Sequence, residues 1–184
     1  MKSIMAKYKE YFFGSKDKFA ITGKQWLDEH QVKYIFGEFY FACDSNVIGC
    51  DQTVILSTPR YSLESIISSY DYSIANELSN QSIENISAKM YNIFVENYNN
   101  PDYEERVEKY ETLFLTLDIC ESLDGTYVFL VSDQTKDILL YHNEKTKQLS
   151  HAFLTSGYAF SVFRDYIAFI DDLIGKNTFK CGKI

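Results

Sequence analysis

Proline is nearly missing from this chain, with 2 in 184 residues, and tryptophan, histidine and cysteine are scarce at 1, 3 and 4. So little proline beside 15 tyrosines and 14 phenylalanines argues against disorder, because disordered chains are poor in aromatics. The cysteines, Cys43, Cys50, Cys120 and Cys181, are scattered and form no C-x-x-C pair, so zinc and dithiol redox motifs have no support. Cys43 and Cys50 flank a short turn and could approach each other. Reduced, partly buried thiols are nonetheless the default for a chain with no export signal. No apolar run approaches the length that spans a bilayer. The segment Met1-Lys-Ser-Ile-Met-Ala-Lys-Tyr-Lys-Glu10 has no apolar core of signal-peptide length, so a cytoplasmic protein that does not engage membranes is expected. The Asn-x-Ser matches at Asn80 and Asn85 fall in an Asn/Ser-rich stretch and read as chance. Absent too are the Gly-x-Ser-x-Gly elbow, the phosphate-cradling glycine loop and His-Glu-x-x-His.

Present instead is an ordinary globular composition: 46% hydrophobic and 24% charged residues. A chain of this length buries a real core, and one domain covering residues 1–184 is expected. The formal charge is −8, which repels phosphate and speaks against nucleic-acid binding. Acidity serves solubility, and it also fits a partner with a basic surface, such as a nuclease. Aromatic residues make up 16%, enough for an aromatic core and for tyrosines on a recognition surface.

Periodicity divides the chain into three blocks. The first, to about Ser57, reads as strands: Phe19-Ala-Ile-Thr22 is short, whereas Lys33 to Cys43 is apolar on both sides, as a central strand is. Phe36, Phe39 and Phe41 are read as alternating with Ile35, Tyr40 and Ala42. Asp44-Ser45-Asn46 supplies a turn, and Val47 begins the returning strand. Gly37 and Gly49 each suggest a bulge or close packing by a large neighbour.

The second block is helical. Leu63, Ile66, Ile67, Tyr70, Ile74 and Leu78 line one face of a helix. A second follows from Ile83 to Asn97, with Ser82 as its N-cap and Glu84 in its first turn. Asn100-Pro101-Asp102 signals a third, shorter helix. In the third block Leu113, Leu115, Leu117 and Ile119 alternate with Thr116 and Asp118 as a strand does, and Asp124-Gly125 turns it into Tyr127–Ser132. Lys136 to His142 and Leu149 to Thr155 form a further hairpin. An amphipathic helix after Ser156-Gly157, ending near Gly175, closes the chain. The sum is an α+β fold with a mainly antiparallel sheet, a central helical block and a C-terminal helix.

No catalytic constellation stands out. His142 and His151 lie on the two arms of the last hairpin, with Lys145 and Lys147 at its tip, a set that could in principle cleave RNA by general acid–base catalysis. Two strand histidines beside a solvated turn account for them more simply, so a small RNase or hydrolase is the alternative reading. Asp44 and Asp51 lack the dense oxygen spacing of a calcium loop. No cofactor and no metal are expected. One constellation suggests binding: Glu104, Glu108 and Glu111 fall at i, i+4 and i+7, beside Asp102 and Tyr103. Such a stripe is commonly a solvated helix face. It is also a carboxylate row able to enter a basic cleft.

The residues Phe19-Ala-Ile21, Trp26-Leu27, Tyr34-Ile-Phe-Gly-Glu-Phe39, Val47-Ile-Gly49 with Asp51, and Leu63 after a Ser together resemble a family of bacterial immunity proteins. These accompany polymorphic toxins, including those of contact-dependent inhibition. Leu123-Asp-Gly125 and Ser156-Gly157 are similar to that family as well. The resemblance covers roughly residues 19–58 and 113–170. It implies a binding protein that occludes a cognate toxin domain, without turnover, and carries no catalytic residue. The acidic residues Asp102, Tyr103's neighbour, and Glu104, Glu108 and Glu111 are then the expected toxin contacts, with Tyr103 among them. An adaptor for a non-toxin partner is the remaining alternative.

Overall fold

The computed structural model describes residues 7–27, 34–96, 102–116, 119–123, 126–133, 135–143 and 148–181. Two compact units divide the chain. The first takes residues up to Glu64 with Asp118–Asp124 and Phe160 onward; the second takes Ser65–Leu117 and Gly125–Ala159. Each has its own antiparallel sheet, and five α-helices are present among the described residues, so the α+β class with a helical middle and a C-terminal helix holds. No helix among the described residues is long and apolar enough to cross a membrane.

In the first unit the strands β1 (Tyr8–Gly14), β2 (Phe19–Trp26), β3 (Phe36–Cys43) and β4 (Asn46–Ile48) lie side by side in that order. The short β5 (Val54–Ile55) pairs with β3 ahead of β4. The strand β3 is central, and all its residues after Phe36 are buried, as its two-sided apolar pattern implies. Its pleat corrects one expectation. Successive side chains alternate faces, so Phe36 falls with Glu38 and Tyr40 rather than with Phe39 and Phe41. Asp44 and Ser45 both take positive φ, 47° and 63°, the geometry of the tight turn that joins β3 to β4. Gly37 fulfils the close-packing expectation: a Cβ there would lie 2.0 Å from the Lys24 carbonyl oxygen. Gly49 follows β4 at φ 128°, a conformation L side chains rarely adopt.

The core of this unit is aromatic. The helix α5 (Tyr158–Cys181) supplies Phe163, Tyr166 and Phe169 to it. Phe163 meets Phe19 at 5.9 Å, and Tyr166 meets Phe39 at 5.2 Å between ring centroids. Phe169 packs on Tyr11 and Phe13. Offset and edge-on pairs of this kind add to the burial of large apolar surface. The hydroxyls of Tyr166 and Tyr11 are satisfied: Tyr166 donates to the Leu56 carbonyl at 2.8 Å and Tyr11 to that of Glu38 at 2.6 Å. A 3-10 turn, Glu121–Leu123, is pinned to β3 by Ser122, whose hydroxyl donates to the Phe39 carbonyl at 2.7 Å.

The second unit contains the helices between α1 (Ser57–Ser69) and the second sheet. The apolar face expected of one helix over 63–78 is split between α1 and α2 (Tyr72–Ser79). Asp71 causes the break: its carboxylate accepts from the Ser73 N–H at 2.8 Å and starts a new helix. Tyr70, at the junction, turns inward and donates to the Leu130 carbonyl at 3.0 Å. The helix α3 (Ile83–Tyr91) begins as expected, with Ser82 accepting from the Asn85 N–H, and then widens into a π-turn, Asn92–Glu96. Asn97, Asn100 and Pro101 lie outside the described residues; α4 spans Tyr103–Tyr110.

Of the strand expected over 113–119, the described residues 113–116 and 119 form none. A 3-10 turn, Glu111–Leu113, leads into a single bridge between Phe114 and Phe129. Leu113, Phe114 and Leu115 are all buried, so no solvent-facing side remains to sustain alternation. Phe114 stacks on Phe129 at 4.8 Å and meets Phe94 at 4.7 Å. The turn Asp124-Gly125 lies outside the described residues. The strands β6 (Thr126–Ser132), β7 (Lys136–Asn143) and β8 (Gln148–Thr155) form the second sheet in that order, as the hairpin pattern implies.

Ser156-Gly157 has a structural explanation. Gly157 takes φ 75° and aims its N–H at the buried Asp137 carboxylate, 3.1 Å away. That carboxylate also accepts from the Ala159 N–H and the Ser132 hydroxyl, and so caps α5. The helix then runs through Gly175, where it was expected to end, to Cys181. A lone glycine costs a helix interior only about 1 kcal/mol, and the neighbouring residues carry it.

Candidate functional site

Charge is sorted along α4. Glu104 and Glu108 are exposed one turn apart on α4, whereas Glu111 opens the 3-10 turn that follows it. The stripe read from the sequence is therefore helical over two carboxylates and continues onto a turn for the third. Asp102 sits at the N-cap position without capping through its side chain, and Tyr103 is half-buried.

The basic residues of α4 have a different setting. Lys109 lies 3.1 Å from Glu77 of α2, and Lys89 of α3 lies 3.6 Å from the same carboxylate. Both ammonium groups also lie over the Tyr110 ring, at 5.1 and 4.8 Å. The hydrogen bond from Lys109 and the two positive charges hold the Glu77 carboxyl below its ordinary value. Arg106 and Lys109, with Asp102 and Glu105, line a hollow of about 660 Å³ closed by Ala88 and Ile93. A smaller hollow of about 400 Å³ holds Asp71, Glu105, Glu108 and Thr112. The Thr112 hydroxyl there is buried with no hydrogen-bond partner among the described residues.

The register of the last hairpin does not pair its histidines with each other. His142 pairs with Leu149 and His151 with Leu140. The His151 ring is exposed and meets Phe153 edge-on at 5.5 Å, a neighbour that relays no proton. His30, Lys145, Lys147 and the His142 side chain lie outside the described residues.

A constellation that sequence reading missed lies on the outer face of the first sheet. Lys24, Glu38 and Tyr40 stand there on adjacent strands, because β2 and β3 pair Lys24 with Glu38 and Thr22 with Tyr40. Lys24 bonds Glu38 at 2.8 Å. The Tyr40 hydroxyl lies 3.0 Å from the same Glu38 oxygen and 2.8 Å from Asp51. Burial, then hydrogen bonding to Asp51 and Glu38, pushes the Tyr40 phenol far above its ordinary pKa, so it stays protonated. These residues, with Phe12 and Val47, line a hollow of about 530 Å³. Asp51's partner is thus Glu38 through Tyr40. Asp44, the carboxylate considered beside it in the sequence, is exposed in the β3–β4 turn. The one legible signal was Glu38-Phe39-Tyr40, two polar side chains at strand spacing within an apolar run.

Cys43 and Cys120 are buried free thiols and Cys50 an exposed one. Burial pushes the Cys43 thiol up to about 12 and that of Cys120 to about 11, which makes both poor nucleophiles. No group of three or more potential metal ligands occurs among the described residues.

Comparison with known proteins adds what geometry alone does not. The family model described as Immunity protein 42 matches residues 5–169. Among solved structures, the crystal structure of CdiI from Burkholderia dolosa AUO158 is similar, with a TM-score of 0.62 and 20% identity. That likeness covers 86% of this chain and 99% of the other, and at such identity it is a likeness of fold. Among curated proteins none matches.

Proposed function

We propose a mechanism of toxin occlusion from one premise: the chain belongs to the Immunity protein 42 family. It is an immunity protein, and the role of such a protein is to neutralise a cognate toxin. The proposal adds how. The chain binds the toxin's C-terminal domain in the cytoplasm and covers its active or substrate-binding site, with no turnover and no cofactor. The toxin is a nuclease with a basic surface, of the kind delivered by polymorphic or contact-dependent inhibition systems. The observation that carries this is the family match itself, which runs through residues of both units. A net charge of −8 supports a basic partner, since opposite fields speed encounter and suppress wrong pairings.

The proposed toxin contact is Asp102, Tyr103, Glu104, Glu108 and Glu111. Exposed carboxylates at Glu104, Glu108 and Glu111 support it. The decisive experiment expresses the C-terminal domain of whatever protein the neighbouring upstream reading frame encodes, with and without this chain. Rescue of growth together with co-purification of the pair is the expected result. Continued death at comparable expression of both proteins removes that domain as the cognate toxin.

A further inference from the structure

We infer that the outer face of the first sheet seats a lysine or arginine side chain of the toxin in the hollow formed by Tyr40, Glu38 and Asp51. The inference rests on the proposed binding of a basic toxin domain and gives that partner a contact surface in the first unit, distinct from α4.

Hydrogen counting leads to it. The Tyr40 hydroxyl is within hydrogen-bond distance of two carboxylates, Asp51 at 2.8 Å and Glu38 at 3.0 Å, yet it carries one hydrogen. Lys24 serves Glu38 at 2.8 Å. Asp51 therefore competes with Glu38 for a single phenol proton, and the hollow holds more acceptors than donors. A guanidinium or ammonium brings further N–H donors and the positive charge that offsets the excess of carboxylates over lysines. The titratable groups lining the hollow are the carboxylates Glu10, Glu38 and Asp51, the ammoniums Lys16 and Lys24, and the phenols Tyr11 and Tyr40, leaving a net negative charge.

The walls fit the rest of such a side chain. Phe12 is 39% exposed and Val47 63% exposed, so apolar surface stands at the rim where the aliphatic stem of a lysine or arginine would lie. The acceptors are also fixed in advance. Glu38 and Tyr40 are buried on the central strand and bonded to each other, so little side-chain freedom is lost when a cation arrives. A hollow of about 530 Å³ accommodates one such side chain with part of the loop that carries it.

The test uses the full chain and the purified C-terminal domain encoded upstream, with affinity and dissociation rate measured at two salt concentrations. Asp51→Lys and Val47→Lys are the variants, because both residues are exposed, neither contributes to the aromatic core, and each sets a positive charge against the incoming cation. Each is expected to weaken binding at least tenfold, chiefly through faster dissociation, while the fluorescence of Trp26 retains its unfolding midpoint. Exchanging the matching toxin cation for glutamate should restore binding to Asp51→Lys. Should Asp51→Lys perturb the fold, Val47→Lys decides. Wild-type affinity in both variants overturns this inference and leaves the proposed function standing. Failure of the unaltered chain to bind or to rescue removes that domain as the cognate toxin and overturns this inference with it.

Discussion

The two units present carboxylates in opposite ways. On the first sheet, Glu38 is buried on the central strand and tied to Lys24 and Tyr40, with Asp51 reached through the same phenol. On the second unit, Glu104, Glu108 and Glu111 stand in solvent along a short helix and the turn after it. A solvated charge acts at a distance and is screened by salt, so it governs encounter. A fixed, partly desolvated acceptor makes a directional bond, so it governs residence. One molecule can thus divide steering from holding between two surfaces, and that division can be tested.

The largest expected effect concerns the scaffold of the first surface. Gly37→Ala forces a Cβ against the Lys24 carbonyl, and it should cost about 3 kcal/mol or more, since backbone at the clash cannot yield as a side chain does. The sole tryptophan, Trp26, lies in β2, so its fluorescence reads the first unit while circular dichroism reads both. Coincident shifts of the two signals in urea would mean that the units unfold together. A shift in fluorescence alone would mean that they do not.

Asp137→Ala should come next, at about 2 kcal/mol, because it strands the Gly157 and Ala159 N–H groups at the start of α5 and the Ser132 hydroxyl at the end of β6. Here the same pair of probes separates the units from the other side. An unchanged circular dichroism midpoint would show that this cap contributes nothing.

Reversing Glu104, Glu108 and Glu111 to lysine should slow association with the toxin about tenfold at low salt and less at high salt. The melting temperature should hardly move, because all three side chains are exposed. Unchanged association and salt dependence would remove α4 from the interface. A change in dissociation alone would reverse the roles assigned to the two surfaces.

The smallest effect is a pH dependence. Hydrogen bonding from Thr135, working against burial, holds the Asp133 carboxyl well below the usual range. Its folded pKa is below the unfolded one, so its stabilisation is complete above about pH 4 and is lost as pH falls through the folded value. Asp133→Asn should therefore reduce stability at neutral pH and lessen its decline between about pH 4 and 2. A variant whose acid unfolding curve matches the original would refute this.

Much of the scaffold was legible because it depends on neighbours in sequence. The two-sided apolar run of β3, the Asp44-Ser45-Asn46 turn, the Ser82 cap and the β7–β8 hairpin each follow from side-chain pattern and turn chemistry within a few residues. Where long-range packing competed, the pattern misled. Leu113 to Ile119 alternates like a strand, but Phe114 is drawn inward to Phe94 and Phe129, and the alternation loses its wet side. Asp71 looked like one polar residue on a helix running past it, until Tyr70 turned toward β6 and left Asp71 to cap the next helix. The acidic stripe on α4 was visible from spacing; the surface pairing of Lys109 with Glu77, 32 residues away, was not.

The sequence by itself determined the α+β class, most of the elements, the acidic character and the resemblance to immunity proteins, since these are properties of composition and short-range periodicity. Only the tertiary structure decided which charges share a hydrogen. Tyr40 meets Asp51 across 11 positions of chain and Lys24 meets Glu38 across a strand pair. A hydrogen bond needs its atoms within about 3 Å, and distance along the chain does not set distance in space.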